Sequence, residues 1–326
     1  MSDYSASSDH VPAGAMQEIS NHPRSLLAMG DLDVHRLGEI LTLTQEFRSV
    51  LRRPIPKVPA LRGKTIANCF FEDSTRTRCS FELAAKRLSA DVITLTEKGS
   101  SLSKSESLRD TVRTLECMGV DGFVVRHHAS GVPARIAAWV DHPVINGGDG
   151  AHEHPTQALV DLATLIEKWG SLAGARVLIV GDVAHSRVAR SNVTAFTLAG
   201  ASVSVCAPPT LLPPGIEGWP VTVSEDLDAE IPEADVVYLL RMQQERIVDD
   251  PVVPSLCEYA RGFGFTEERA RSLHSEAVVM HPGPMNRGVE IAASVADLPI
   301  SLVEKQVSNG VAVRMAVLYL FFAGIP

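Results

Sequence analysis

The chain has 326 residues, 45% of them apolar and 21% charged, a length and composition that suit two globular domains. Its formal charge of −9 excludes the broad basic surface of a nucleic-acid binder, so any anion must be captured by a few local basic groups. Five cysteines, odd in number and never spaced as CxxC, point away from a disulfide framework or a zinc site and toward a reducing, cytoplasmic setting.

Residues 1–22 are rich in Ser, Asp and Ala and lack the basic-then-apolar layout of a secretory signal, so they are expected to form a disordered tail. Asp33 is placed to cap a helix whose apolar stripe is Leu37, Ile40, Leu41, Thr44 and Phe47, with Leu32 and Leu37 as a hydrophobic staple. Three prolines, at 54, 56 and 59, end it. A strand over Thr65–Phe71 then empties into Glu72-Asp73-Ser74-Thr75-Arg76-Thr77-Arg78, and Phe81, Ala84, Ala85 and Leu88 follow at helical spacing. Strand, hydroxyl-rich loop and helix N-terminus make either a phosphate seat or an ordinary N-capped core helix with solvated arginines. Taken alone, the stretch leaves both readings open.

A short strand at Val92–Leu95 precedes the polar stretch Thr96–Ser107, read as a solvated loop. A helix over about Glu106–Met118 is followed by a strand ending at Arg126-His127. A further strand, Pro143–Ile145, runs into Asn146-Gly147-Gly148-Asp149-Gly150. His154-Pro155-Thr156-Gln157 opens the next helix, proline standing at its favoured first position, with Leu159, Leu162, Ile166 and Trp169 as one apolar face. From Arg176 the pattern restarts as a strand–helix–strand unit: Val177–Val180, about Arg187–Ala199, and Ser202–Cys206. Strands ending near Leu240 and Met280 empty into Arg241-Met242-Gln243 and His281-Pro282-Gly283-Pro284. The C-terminal apolar run Ala316–Phe322 is too short to span a membrane and is expected to be a buried helix beginning near Asn309. The fold class is therefore α/β, two doubly wound domains with parallel sheets. Ligands of such sheets sit beyond the carboxyl ends of the strands, and arginines at those ends in both halves suggest a cleft for two anions.

Taken in order, Ser74–Arg78, Arg126-His127, His154–Gln157, Arg187, Arg241–Gln243 and His281–Pro284 resemble the aspartate carbamoyltransferases, from about residue 24 to the C-terminus. The resemblance implies transfer of the carbamoyl group of carbamoyl phosphate to the amine of L-aspartate in de novo pyrimidine synthesis, with neither metal nor cofactor. It implies that Ser74, Thr75, Arg76 and Thr77 hold the phosphate and that Thr77, Arg126 and His154 face the carbonyl oxygen. Gln157 and the backbone carbonyls of Pro282 and Gly283 would recognise the carbamoyl amide, while Arg187 and Arg241, with Gln243 alongside, would clamp aspartate. In the family a Ser and a Lys reach into the neighbouring subunit's site. Ser100 and Lys104 match them, which implies a homotrimer with shared sites and places Lys104 with the catalytic and aspartate-binding residues. Ser105 departs from the glycine expected after that lysine.

The implied domains are 23–154 plus 309–326 for carbamoyl phosphate and 155–308 for aspartate, the helix after His154 crossing between them. Whether the trimer stands alone, joins regulatory chains or pairs with dihydroorotase stays open. Ornithine carbamoyltransferase is the nearest rival, but its turn carries a Cys where this chain has Pro282. A non-catalytic scaffold paralogue would be expected to have lost site residues, and none is missing. A dinucleotide-binding oxidoreductase fails because Gly181–Ser186 lacks GxGxxG spacing. Three features remain ambiguous. Asp182 either orients Arg187 or caps a turn, Phe263–Phe265 either closes over aspartate or is a plain surface loop, and Arg287 either serves the aspartate side or braces Glu72.

Overall fold

The computed structural model describes residues 24–96, 106–243 and 255–323. The first half runs α1 (Val34–Leu51), β1 (Thr65–Phe71), α2 (Thr75–Arg87), β2 (Asp91–Thr96), α3 (Leu108–Cys117), β3 (Gly122–His127), α4 (Val132–Ala137), β4 (Val144–Asp149) and α5 (Pro155–Trp169). The second runs β5 (Arg176–Val180), α6 (Arg187–Leu198), β6 (Ser202–Cys206), β7 (Thr222–Ser224), α7 (Leu227–Glu230), β8 (Val236–Leu239), α8 (Leu256–Phe263), α9 (Glu267–Arg271), β9 (Val278–Met280), α10 (Ala293–Ala296) and α11 (Val303–Phe322).

All pairings between these strands are parallel, in the orders β2-β1-β3-β4 and β7-β6-β5-β8-β9. Near-continuous apolar runs such as Ile66–Phe71 and Val236–Leu239 are what a sheet covered on both faces requires. In each sheet the chain starts at an inner strand, adds one strand (β2) or two (β6 and β7) on one side, then returns to the other. The crevices at these reversals lie at the exits of β1 and β3 in one sheet and of β5 and β8 in the other.

Two apolar clusters cover the outer faces, one with Phe71, Phe123 and Ile136, the other with Leu178, Val237 and Phe265. A third is continuous through both halves, from Leu26 and Phe81 across α5 and α6 to Tyr238 and Phe322. Helix α5 joins them. It contacts α11, α6 and α1 and is buried on nearly every side, Thr156, Asp161 and Thr164 included, rather than along the single face its spacing predicts. Helix α11 packs on α1, α2 and α5.

The Asp33 cap forms as expected, its carboxylate accepting from Arg36 N at 2.7 Å. Two boundaries differ from the sequence reading. Helix α11 starts at Val303, not near Asn309; Asn309 sits inside it, its amide donating to Thr164 and Glu167 (3.1 and 3.0 Å). Strand β4 continues through Asn146-Gly147-Gly148 to Asp149, held by the Asn146 amide donating to Leu27 O and Asp149 Oδ1, each at 2.8 Å. No helix among the described residues is long and apolar enough to cross a membrane.

Candidate active site

The reversals of the two sheets open onto one cleft of about 790 Å³. Its wall includes Ser74, Thr75, Arg76, Thr77, Arg126, His154, Gln157, Arg187, Arg241, Gln243, Pro282 and Gly283, so every sequence-predicted site residue outside the 97–105 stretch lines it. Ser100, Lys104 and Ser105 lie outside the described residues.

The loop after β1 bears on the start of α2. Ser74 occupies the N-cap position, but its side chain makes no capping bond among the described residues. The first-turn amides, which have no intrahelical acceptor, therefore face the cleft with the positive end of the helix dipole. Arg76 reaches into open cleft, and partial burial followed by the like charge of Arg241 lowers its pKa. Gly283 makes this approach possible: its φ is +64°, and a Cβ there would lie 3.2 Å from Arg76 Cζ.

Across the cleft, Glu72 draws arginines from both halves together. Its carboxylate accepts from Arg187 Nη2 at 2.7 and 2.8 Å and from Arg126 Nη2 at 3.2 Å, while Arg126 Nη1 donates to Gly147 O at 3.1 Å. Gly148, φ +115°, lets both guanidiniums pass; a Cβ would meet Arg126 Nη1 at 2.7 Å and Arg187 Nη1 at 3.0 Å. Arg187 is buried, and its Nη1 has no hydrogen-bond partner among the described residues. A carboxylate is the natural complement, because guanidinium meets one through two parallel bonds.

His154 caps α5 by position, and its backbone N–H donates to Ser191 Oγ at 2.8 Å, which in turn bonds the buried Glu153. Burial first, then Arg126, Arg314 and Arg187, hold the imidazole pKa well below its ordinary value, and Nδ1 lacks a partner among the described residues. The ring is thus a neutral hydrogen-bonding group at ordinary pH.

The ambiguous residues resolve away from the cleft. Asp182 caps a turn, accepting from His185 N and Nδ1 (3.2 and 2.8 Å) and from Gln243 N (3.3 Å), which positions the Gln243 loop. Arg287 does not meet Glu72; it pairs with Asp297 at 2.9 Å and donates to Ala293 O. Phe263 ends α8 and Phe265 is fully buried, with Gly264 packed on backbone carbonyls, so the segment is not a lid.

Two residues of the site went unnoticed in the sequence. Arg314, on α11, lines the cleft with its guanidinium 5.1 Å above the Phe81 ring and Nη1 donating to Gly310 O at 3.0 Å. Asp161, one turn beyond Gln157, is fully buried and accepts four side-chain hydrogen bonds. Burial raises its pKa to about 6 despite them. A charge flanked on both sides by apolar residues, as in Leu159-Val160-Asp161-Leu162 and Ala312-Val313-Arg314-Met315, is the signal both share. Among the described residues no group of three or more His, Cys, Asp or Glu side chains is placed to hold a metal ion.

Fold and cleft together define an α/β protein that holds two anionic ligands between two parallel-sheet halves. The aspartate/ornithine carbamoyltransferase family model matches in both parts, the carbamoyl-P binding domain over residues 24–167 and the Asp/Orn binding domain over 173–321. The chain belongs to the aspartate/ornithine carbamoyltransferase family. It is 57% identical to the aspartate carbamoyltransferase catalytic subunit of Acidothermus cellulolyticus over 92% of this chain and 93% of that one. The corresponding subunit of a Parafrankia species is 56% identical, over 92% and 96%. Among solved structures, aspartate transcarbamoylase from Trypanosoma cruzi with N-(phosphonacetyl)-L-aspartic acid superimposes with a TM-score of 0.79 at 28% identity, covering 90% of this chain and 94% of that one. Ornithine carbamoyltransferase from Pyrococcus furiosus does so with a TM-score of 0.83 at 29% identity, covering 93% and 98%.

Proposed function

We propose that the protein is an aspartate carbamoyltransferase: it transfers the carbamoyl group of carbamoyl phosphate to the α-amine of L-aspartate, giving N-carbamoyl-L-aspartate and phosphate for pyrimidine synthesis. The observation that carries this reading is the convergence of Arg76, Arg126, Arg187, Arg241 and Arg314, from both halves, on one cleft in a chain of net charge −9. The backbone shape is equally close to an ornithine enzyme, so the second substrate is chosen by side chains. Arg187 and Arg241 suit a dicarboxylic amino acid and would repel a cationic one, and the relatives at 57% and 56% identity carry the aspartate name.

In this reading Ser74, Thr75, Arg76 and Thr77 receive the phosphate at the open end of α2. Attack by the amine gathers negative charge on the carbamoyl oxygen. Thr77, Arg126 and the neutral His154 stabilise it as fixed donors, which need no reorganisation at the moment of reaction. Gln157 and the Pro282 and Gly283 carbonyls accept from the carbamoyl NH2. Arg187, Arg241 and Gln243 hold aspartate so that the bimolecular attack becomes nearly unimolecular. The amine proton leaves with the departing phosphate.

We assign residues 23–154 plus the C-terminal helix, whose start moves from 309 to Val303, to carbamoyl phosphate and the stretch between them to aspartate, a division supported by the packing of α11 on α1 and α2. The functional unit in this reading is a homotrimer in the cytoplasm, with Ser100 and Lys104 completing a neighbour's site. The five free thiols are in keeping with a reducing compartment.

Purified protein given carbamoyl phosphate with aspartate or with ornithine is expected to carbamoylate aspartate only; carbamoylation of ornithine would refute the reading. Arg76→Ala is expected to cripple turnover, whereas Arg241→Ala raises the aspartate KM roughly 100-fold, the equivalent of a lost charge-assisted pair of about 3 kcal/mol. Equal effects of both on aspartate alone would contradict the assignment of the two anions.

A further inference from the structure

Beneath the carbamoyl side of the cleft, four donors converge on the Asp161 carboxylate. Tyr238 Oη (2.6 Å) and Asn192 Nδ2 (3.0 Å) bond Oδ2, and Gln306 Nε2 (2.7 Å) and Gln157 Nε2 (2.9 Å) bond Oδ1. A carboxylate has about four lone-pair sites and no hydrogen, so these donors saturate it. An amide that faces an acceptor-only group must present its NH2. Both glutamines therefore turn their carbonyl oxygens away from Asp161.

For Gln306 the destination is visible. Its Oε1 accepts from the backbone N–H of His281 at 3.2 Å, at the head of the His281–Pro284 turn. The same turn is closed by Gly283 N donating to His281 Nδ1 at 2.8 Å, which leaves the ring hydrogen on Nε2, 3.2 Å from Glu290 Oε1. Pro282 and Pro284 have no N–H. Every amide of the turn is thus engaged or absent, and only carbonyl oxygens remain to be offered. Gln157, which lines the cleft, is likewise left with its Oε1 as the atom to offer.

We propose that Asp161 is a positioning residue that makes this side of the cleft acceptor-only, through Gln157 directly and through Gln306 to the turn, and so selects a transferred group bearing NH2. The proposal rests on the carbamoyl-transfer reading above. It identifies the excluded class as acyl phosphates whose acyl group carries a methyl in place of the amide, because acceptors left facing a methyl lose their hydrogen bonds.

The test compares the inhibition constant of acetyl phosphate with the KM of carbamoyl phosphate. In the wild type this ratio is expected to be on the order of 100 or more. Asp161→Leu removes the oxygen that both glutamine NH2 groups face and releases both amides to turn over. The ratio is then expected to fall at least tenfold, with the aspartate KM changed less than twofold. An unchanged ratio, or equal weakening of both acyl phosphates, would overturn the proposal. If Asp161→Leu does not fold, Gln306→Met carries the same test: it unties the His281 amide and is expected to lower the ratio, and a wild-type ratio there would also overturn it. Wild-type protein unable to carbamoylate aspartate would remove the activity reading itself, an outcome distinct from active enzyme whose variants keep the ratio.

Discussion

Replacing Arg314 by Met is expected to stabilise the empty protein while weakening its grip on ligand. The guanidinium is buried, its Nε has no partner among the described residues, and burial is the main cause that lowers its pKa from 12.5 to about 10, against the attraction of Asp161. That fall corresponds to roughly 3 kcal/mol of penalty on the cation in the folded state. Opposing it are the bond to Gly310 O, worth about 1 kcal/mol, and the contact with Phe81, worth about another 1 kcal/mol in a desolvated setting. Met keeps the length of the apolar stem and introduces no charge. The ligand-free variant should therefore be about 1 kcal/mol more stable, in line with other replacements of buried charges by apolar groups of similar size. Urea denaturation with and without N-(phosphonacetyl)-L-aspartic acid separates the two effects. The stabilisation conferred by that dianion-bearing ligand should shrink by about 1.4 kcal/mol or more, a tenfold loss of affinity. Destabilisation of the empty variant by more than about 1 kcal/mol would refute the reasoning, because the guanidinium would then be a net structural support.

Two further outcomes follow from residues at the cleft. Gly283→Ala meets both a left-handed backbone and Arg76 at 3.2 Å, so the carbamoyl phosphate KM should rise roughly tenfold with little change for aspartate, measured by initial rates. Asp161 binds its proton more tightly in the folded chain, with a pKa near 6 against 3.8, so its contribution to stability is present in acid and lost as pH rises through that window. Denaturation at several pH values should show Asp161→Asn lacking a decline of about 2 kcal/mol between pH 4 and 6 relative to the wild type; parallel curves would contradict it.

The parts of the molecule legible in the sequence are those written by local pattern. The run Thr65–Phe71 is a strand over those residues, Asp33 caps α1, and the polar residues following β1, β3 and β8 meet in one cleft because parallel sheets gather such exits at one edge. What the local pattern hides is pairing over long separations. Gln306 and Asp161 are 145 residues apart, as are Asn309 and Thr164, and nothing near either pair signals its partner. The same blindness made Asn309 look like a helix start and left Arg287 undecided between the aspartate side and a brace for Glu72. Arg314 escaped notice because a buried cation is identified by the charges opposite it, and Asp161 and Arg126 lie on other elements. The start of α2 needed the structure too: Ser74 fits a cap in sequence, and its side chain makes no capping bond among the described residues.

Helix α11 also bears on how the protein is made. It follows the nine strands found among the described residues, yet it contacts α1, α2 and α5, and Gln306, Gly310 and Arg314 belong to the wall of the cleft. Chains emerge from the ribosome amino end first, and domains tend to fold as they emerge. Here the first half has its four strands early but cannot close its apolar body until the last helix arrives. A nascent chain stalled short of Val303 would hold both sheets and most of the arginines without the surface that brings them into register, so ligand capture begins only when synthesis is nearly over.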